Sequence, residues 1–375
     1  MKKLKYLLFG AGSIILTAAP VVTNSCHSEK APEAPKVKTY TEEEVAEKIK
    51  AAQTLIANGG GIGSSNAWNS FSGEKHAMGM QVYKNAKAAF DKMITQPNVD
   101  LTKVNISGDE IVVSAPEEGK FIPVVFMDLD ETVLNNFKYQ NYLFLNNKSY
   151  DGRAWDDFVS QAISTEVPGA IDFIKHVYSK GGVVFFNSNR SQKWHKEPSK
   201  TNLINLGLEA KYMPDFIWWM QGVDLANKQK PYSSTTSTKS EKEERMHLVN
   251  NNKITIGETP VQFKVVMRVG DDISDFNDNF TKKSGVTSEQ VVGELKSDSN
   301  RYGDLFGNMD ISVMGTYYNK QTGAWEDETH SESYVLIPGN SSYGSWLSHL
   351  IGQRGYNHAK IAEKLKGFIY VPSKS

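Results

Sequence analysis

Two short apolar runs in this chain each lead straight into clustered aspartates, and that pattern narrows the fold more than any other feature. Phe121–Met127 (FIPVVFM) runs into Asp128-Leu129-Asp130-Glu131-Thr132. Phe263–Val269 (FKVVMRV) runs into Gly270-Asp271-Asp272-Ile273-Ser274-Asp275. A bounded apolar run of this length reads as a strand buried on both faces. In open α/β sheets ligands bind at the carboxyl ends of the strands, so both acidic groups are expected at one edge. Carboxylates gathered there repel one another unless a cation lies among them. The pattern therefore points to a hard divalent metal, most simply Mg2+, and to phosphate chemistry around it.

Other segments extend the sheet. Val183–Phe186 reads as a second strand, followed by Asn187-Ser188-Asn189-Arg190, and Asp215–Met220 (DFIWWM) as a third strand or buried segment. Strands alternating with helical stretches predict an α/β fold, a parallel sheet with helices on both faces. Phe137–Gly181 is long enough to form a small cap over the site. The polar stretch Gln229–Lys242 leads into a helix at Glu243–Val249. Gly59–Ser65 reads as a Gly/Ser loop, and Trp68 to about Met93 as one or two helices with Met78, Val82, Ala86 and Phe90 at helical spacing. Ser284–Asp310 is polar and poorly periodic.

The N-terminus is of a different kind. Lys2, Lys3 and Lys5 precede an apolar stretch, Leu7–Ala19, and Cys26 follows shortly after it. This is the pattern of a secretory signal. The apolar segment is short for a membrane span, which takes about 20 apolar residues, and Pro20 interrupts it. With one cysteine in the chain, no internal disulfide can form. Residues 27–38 (HSEKAPEAPKVK) are polar with two prolines and read as a tether. Thr41–Ala57 has helical spacing with an acidic first turn. The formal net charge is −1, which argues against a nucleic-acid polymer as partner.

The residues at the sheet edge suggest their own chemistry. Asp128 is placed to attack phosphorus and form an acyl phosphate. Asp130, at the turn, is placed to protonate the leaving oxygen and later to activate water. Asp271 completes the metal site, and Asp275 either joins it or orients Lys242 or Asp271. Ser188, with its hydroxyl and nearby N–H groups, and Lys242, before a helix, are donors for the phosphate. Lys239 is the alternative lysine. Arg190 and Arg245 read as structural ion-pair partners. His176, His195 and His247 lack metal-ligand spacing.

Together, Asp-Leu-Asp-Glu-Thr, the strand-end Ser188, Lys242 and Gly-Asp271-x-x-x-Asp275 resemble the four motifs of the haloacid dehalogenase superfamily. Within it the chain is most similar to the class C, or DDDD, acid phosphatases. Ser72-Gly73-Glu74, Asp151-Gly152-Arg153-Ala154-Trp155, Val167-Pro168-Gly169-Ala170, Ser188-Asn189-Arg190, Leu336-Ile337-Pro338-Gly339-Asn340 and Tyr343-Gly344-Ser345-Trp346 look like the bacterial lipoprotein e acid phosphatases. The resemblance covers about Trp68 to Leu350.

This resemblance implies a Rossmann-like core with a small cap and an N-terminal helical extension. It implies Asp128 as nucleophile and Asp130 as acid and base. Mg2+ would be held by Asp128, the Asp130 main-chain carbonyl and Asp271. The substrates would be small phosphomonoesters, often nucleoside 5′-monophosphates, hydrolysed at acidic pH. Asn189, Trp155 and Tyr343 are the candidates for substrate contacts. Cys26 would carry a lipid that anchors the protein to the outside of a bacterial membrane.

The expected division is a signal peptide over 1–25, lipidated cysteine and tether over 26–40, and the helical extension over 41–115. The phosphatase core then spans 116–352, with the cap at about 137–181, and a tail spans 353–375. Oligomeric state is left open. Two rivals use the same fold without turnover: a lipoprotein that binds or helps import nucleotides, and a surface adhesin. A third keeps the acyl phosphate and passes the phosphoryl group to an alcohol.

Overall fold

The computed structural model describes residues 60–146, 148–233, 239–354 and 357–365, together with 41, 43 and 47. The chain divides into Met1–Ala57 and Asn58–Ser375, and the elements below belong to the second unit. The expected signal peptide, Cys26 and the tether lie outside the described residues, as does nearly all of Thr41–Ala57. No described helix is long and apolar enough to cross a membrane.

The core is a five-stranded sheet of β1 (Ile122–Met127), β2 (Val183–Phe186), β3 (Lys253–Ile256), β4 (Thr259–Gly270) and β5 (Ser333–Leu336). Four strands run parallel in the order β5-β4-β1-β2. β3 folds back antiparallel onto the start of β4, which makes the sheet mixed where a purely parallel one was expected. β1 lies in the middle, and every residue of its IPVVFM sequence is buried. A strand covered on both faces needs no polar alternation, which is why the run reads as continuously apolar.

Of the two readings of Asp215–Met220, the buried segment holds and the strand is nearly absent. Asp215–Ile217 makes one 3-10 turn, and Trp218 continues the sheet only as a single bridge to Phe186. The Trp219 indole N–H donates back to the Phe216 carbonyl at 3.0 Å, which closes the segment into a turn. Both tryptophans are fully buried.

The helices that matter for the site are α1 (Gly60–Phe71), α2 (Gly73–Met93), α3 (Phe137–Leu145), α4 (Gly152–Ser160), α5 (Ala170–Ser179), α6 (Gln192–Asn205) and α7 (Lys242–Asn251). α1 covers most of the stretch expected as a Gly/Ser loop. Its glycines disfavour a helix, but tertiary contact overrides propensity. Gly63 lies against the Phe144 ring, and the Asn66 amide donates to the Gln140 carbonyl at 3.1 Å. α2 begins at an N-cap, where Ser72 Oγ accepts the Lys75 N–H at 3.0 Å. Its buried stripe departs from the expected one in the first half only. Ala86 and Phe90 are buried as expected, but in the first half of the helix Lys75, Gly79 and Tyr83 are buried, whereas Met78 and Val82 are partly exposed. The Tyr83 hydroxyl sets this phase by donating to the Thr132 carbonyl at 2.6 Å.

The cap is shorter than Phe137–Gly181. α3 and α4 enclose a small apolar core of Tyr139, Leu143, Phe158 and Val159. Leu134–Asn135 pairs antiparallel with Thr165–Glu166 and closes the base of the cap. α5 packs Phe173, Ile174 and Val177 into the main core instead. Val104–Ser107 and Glu110–Val113 form a hairpin within the expected helical extension. Ser288–Leu295 is helical within the polar stretch, and His358–Leu365 is helical beyond residue 352.

Candidate active site

β1 and β4 are parallel neighbours, so Asp128 and Asp271 leave the sheet side by side at its carboxyl edge. The Asp128 N–H donates to the Val269 carbonyl at 2.9 Å, which extends the ladder into the motif. One oxygen from each of Asp128, Asp271 and Asp275 lies within 4.8 Å of the others. Asp275 returns to the strand end through the 3-10 turn Ile273–Asp275. Its Oδ2 accepts the N–H groups of Asp271 at 3.1 Å and Asp272 at 3.0 Å. This approach requires glycine at 270, where a Cβ would lie 2.3 Å from the Asp275 Cβ.

Lys242, the first residue of α7, reaches the cluster from another side. Its ammonium donates to Asp275 Oδ1 at 2.8 Å and to Asp128 Oδ1. Lys239 is exposed and takes no part in this pairing. Asp278 anchors the start of α7 by accepting the N–H groups of Lys242 at 2.5 Å and Glu243 at 2.9 Å.

The electrostatics follow from this crowding. Burial raises the Asp128 pKa to about 7, with Lys242 pulling it down and Asp275 pushing it up. Burial, then Asp275, Glu131 and Asp128, hold Asp271 well above the carboxylate range. Burial opposes the Lys242 ammonium, but Asp128 and Asp275 outweigh it and the pKa is raised. Such a cluster holds protons or a cation. Among the described residues, Asp128 Oδ2 and Asp271 Oδ1 accept no hydrogen bond, whereas both Asp275 oxygens are engaged. An all-oxygen donor set fits a hard divalent cation, with Asp128 and Asp271 as direct ligands. Asp275 is placed to orient Lys242 and the Asp271–Asp272 turn.

Asp130 is held separately. Its Oδ1 accepts the Arg190 Nε–H at 2.9 Å and the Asn136 amide at 2.7 Å. Asn136 is fixed in turn by the Ser164 hydroxyl at 2.6 Å. The Arg190 guanidinium lies 5.4 Å from the Trp155 ring, whose centre is 5.2 Å from that of Tyr139. Trp155 does not line the site cavity; it joins the cap core to Arg190. Ser188 is also absent from the lining. It is fully buried, and its Oγ accepts the Arg190 N–H at 3.1 Å. Arg245 is buried and donates to the carbonyls of Ser188 and Trp219, both at 2.8 Å.

Asn189 and Tyr343 line a cavity of about 310 Å3 together with Asp128, Asp130, Lys242 and Asp271. A cavity of similar size, about 320 Å3, lies beside α2 against Phe306, Met309 and Leu336, and no Asp, Glu, His, Lys or Arg is among its lining residues. The chemistry therefore lies with the former. Sequence reasoning missed three residues here. Glu131 adopts φ 56°, and its Oε1 accepts the Asn136 N–H at 2.8 Å. Burial raises its pKa to about 8, with Asp130 adding to the shift. Asn340 donates to Asp271 Oδ2 at 2.7 Å. Both residues stand inside motifs that were visible, and their proximity to Asp128 and Asp130 or to the end of β5 was the available signal. Lys75, buried beneath Asn340, carried no such mark.

A family model described as haloacid dehalogenase superfamily, subfamily IIIB (acid phosphatase), matches residues 52–346. Two solved structures of the class C acid phosphatase from Bacillus anthracis resemble the fold. One, with tungstate bound, is 19% identical, with 84% of this chain and 99% of that chain covered and a TM-score of 0.55. The other is 20% identical, with 84% and 100% covered and a TM-score of 0.55. The chain belongs to the acid phosphatases of haloacid dehalogenase subfamily IIIB and is a phosphoric monoester hydrolase.

Proposed function

We propose that the protein is a Mg2+-dependent acid phosphatase, anchored outside the cytoplasm by lipid on Cys26, that hydrolyses nucleoside 5′-monophosphates and similar phosphomonoesters. The observation that carries this reading is the pairing of two differently held carboxylates, Asp128 against Lys242 and Asp130 against Arg190. Asp128 attacks phosphorus as the bond to the leaving oxygen breaks, and Asp130 gives that oxygen its proton. Asp130 then takes a proton from water as the water oxygen attacks the acyl phosphate, which releases phosphate and restores Asp128. Lys242 supplies a fixed positive charge beside the attacking carboxylate. Asp128 and Asp271 would hold Mg2+, which would supply positive charge to the phosphoryl group.

Tyr343 is the aromatic group in the cavity lining, so it rather than Trp155 supports contact with a nucleobase. Outside the cell, removal of phosphate would leave an uncharged nucleoside for uptake. The test is phosphate release by the full chain, purified in detergent, from nucleoside monophosphates and an aryl phosphate, with Mg2+ or with EDTA. Release that needs metal and is abolished by Asp128→Asn supports the reading. Nucleotide binding with no release from any substrate would move the assignment to a binding lipoprotein. Cys26→Ser is expected to leave the membrane fraction.

A further inference from the structure

A strap across the carboxyl edge ties α1 and α2, which lie outside the sheet, to Asp271. The first turn of α2 buries Lys75, only 6% exposed, and its ammonium donates to the Pro338 carbonyl at 2.6 Å. An ammonium has three donors, and this is the one hydrogen bond it makes among the described residues. The next residue, Gly339, has φ 106°, and a Cβ there would lie 2.8 Å from the Trp68 ring and 3.0 Å from the Lys75 ammonium. Only glycine lets the chain pass so close to both. Asn340 follows and donates to Asp271 Oδ2 at 2.7 Å. Ser65 of α1 pins the strap further along through the hydroxyls of Ser341 and Ser342, each at 2.7 Å.

Two polar atoms at this point lack partners. Glu131 Oε2 and Asn340 Oδ1 are buried without a hydrogen bond among the described residues, and both residues line the site cavity. Buried acceptors of this kind are normally satisfied by water or a ligand. A cation beside them that keeps part of its hydration shell supplies such water.

We propose that Lys75 is a positioning residue of the cation centre, holding the Pro338–Asn340 turn so that Asn340 fixes Asp271, with Glu131 Oε2 and Asn340 Oδ1 accepting from water on the cation. The proposal rests on the reading that Asp128 and Asp271 hold a divalent cation. Charge and positioning make opposite predictions here. The Lys75 ammonium repels a cation, so a residue acting by charge alone would weaken binding, and its removal would tighten it. A residue acting through Asn340 would, on removal, loosen it.

The experiment is calorimetric titration of Mg2+ and Mn2+ into the full chain and into Lys75→Met, Asn340→Ala and the double variant. Each single variant is expected to bind about tenfold more weakly or worse, and the double no more weakly than the poorer single. Unchanged or tighter binding by Lys75→Met would overturn the proposal, as would full additivity. If circular dichroism shows that Lys75→Met does not fold, Gly339→Ala displaces the same turn with the charge intact. Unchanged affinity in that variant overturns the proposal equally. Failure of the parent chain to bind either cation removes the underlying cation reading as well, and so separates the two failures.

Discussion

The Arg190 guanidinium grips Asp130: Nε–H donates to Oδ1 at 2.9 Å, and Nη2 lies 2.8 Å from the same oxygen. A planar fork holds a carboxylate in one orientation, which a flexible ammonium does not. Arg190→Lys keeps the charge but loses the fork. It is expected to lower kcat about 100-fold while leaving KM nearly unchanged, because in the proposed mechanism Asp130 acts on the leaving oxygen rather than on binding. Trp155→Ala, which uncovers one face of Arg190, should shift kcat in the same direction by less. Steady-state kinetics decide; equal kcat values in Arg190→Lys and the parent would remove Arg190 from the mechanism.

Lys242 stands between two buried carboxylates, and its removal leaves both uncompensated. Lys242→Met should reduce kcat by about 100-fold or more through loss of fixed charge at the phosphate. Without metal it should also destabilise the fold by about 3–5 kcal/mol. Mg2+ should recover part of that stability but little of the rate. Chemical denaturation with EDTA and with Mg2+ measures the first effect, and turnover measures the second.

Mg2+ should stabilise the parent chain itself, since a ligand that binds only the folded state adds about 2.7 kcal/mol at 100 times its Kd. The pH dependence of this effect has a definite sign. Burial holds Asp128 near 7 and Asp271 well above the carboxylate range, so protons compete with the cation as pH falls. The rise in Tm produced by Mg2+ should therefore be larger at pH 8 than at pH 5.5. An equal rise at both values would contradict proton competition at these carboxylates.

Stability at low pH should turn partly on His330, far in sequence from the site. Its Nε2–H donates to the Val265 carbonyl at 2.7 Å, and its Nδ1 is buried without a partner. Burial lowers its pKa from 6.5 to about 4, against the pull of Glu328. Between those values the unfolded chain binds the extra proton and the folded chain does not, so the contribution is complete above pH 6.5 and is lost towards pH 4. It amounts to roughly 3 kcal/mol at most. His330→Gln keeps a donor for Val265 and does not titrate. The Tm advantage of the parent over this variant should narrow between pH 7 and pH 4.5; a constant gap would show that His330 contributes nothing to the pH dependence.

The sheet and the aspartates were legible in the sequence because both rest on local pattern. An apolar run followed by Asp-x-Asp or Gly-Asp-x-x-x-Asp defines a strand and its end with no knowledge of the rest of the chain. Lys242 and Asp275 were legible as residues, but which groups they face depends on Asp278 and on the turn at Ile273–Asp275. Trp155 and Ser188 were expected in the site, yet their side chains meet Arg190 instead. That arginine has several neighbours competing for it, and sequence order does not rank them. Lys75 was illegible because its ammonium meets the site through a turn 263 residues later in the chain. The helix in Gly60–Phe71 was missed for a related reason, since Gly63 carries meaning only against Phe144.

Gly270 is the narrowest constraint in the site and gives the sharpest test. It ends β4, and the Asp275 carboxyl folds directly over it. A Cβ at 270 would meet the Asp275 Cβ and Oδ2, each at 2.3 Å, and no rotamer of alanine avoids that. Either Asp275 moves or the strand end does. If Asp275 moves, Lys242 loses one of its two carboxylate partners, and the Asp271 and Asp272 N–H groups lose theirs. Gly270→Ala should therefore lower kcat by about 100-fold and weaken Mg2+ binding about tenfold. The fold should survive, because the added methyl displaces a turn at the sheet edge and leaves the apolar core in place. Asp275→Asn keeps the acceptor oxygen but removes the charge, and Asp275→Ala removes both. If displacement of Asp275 is the mechanism, Gly270→Ala combined with Asp275→Gly, which also removes the Cβ that the new methyl would meet, should be no worse than Asp275→Gly alone. A double variant markedly less active than either single would show instead that the strand end itself had shifted, carrying Asp271 with it.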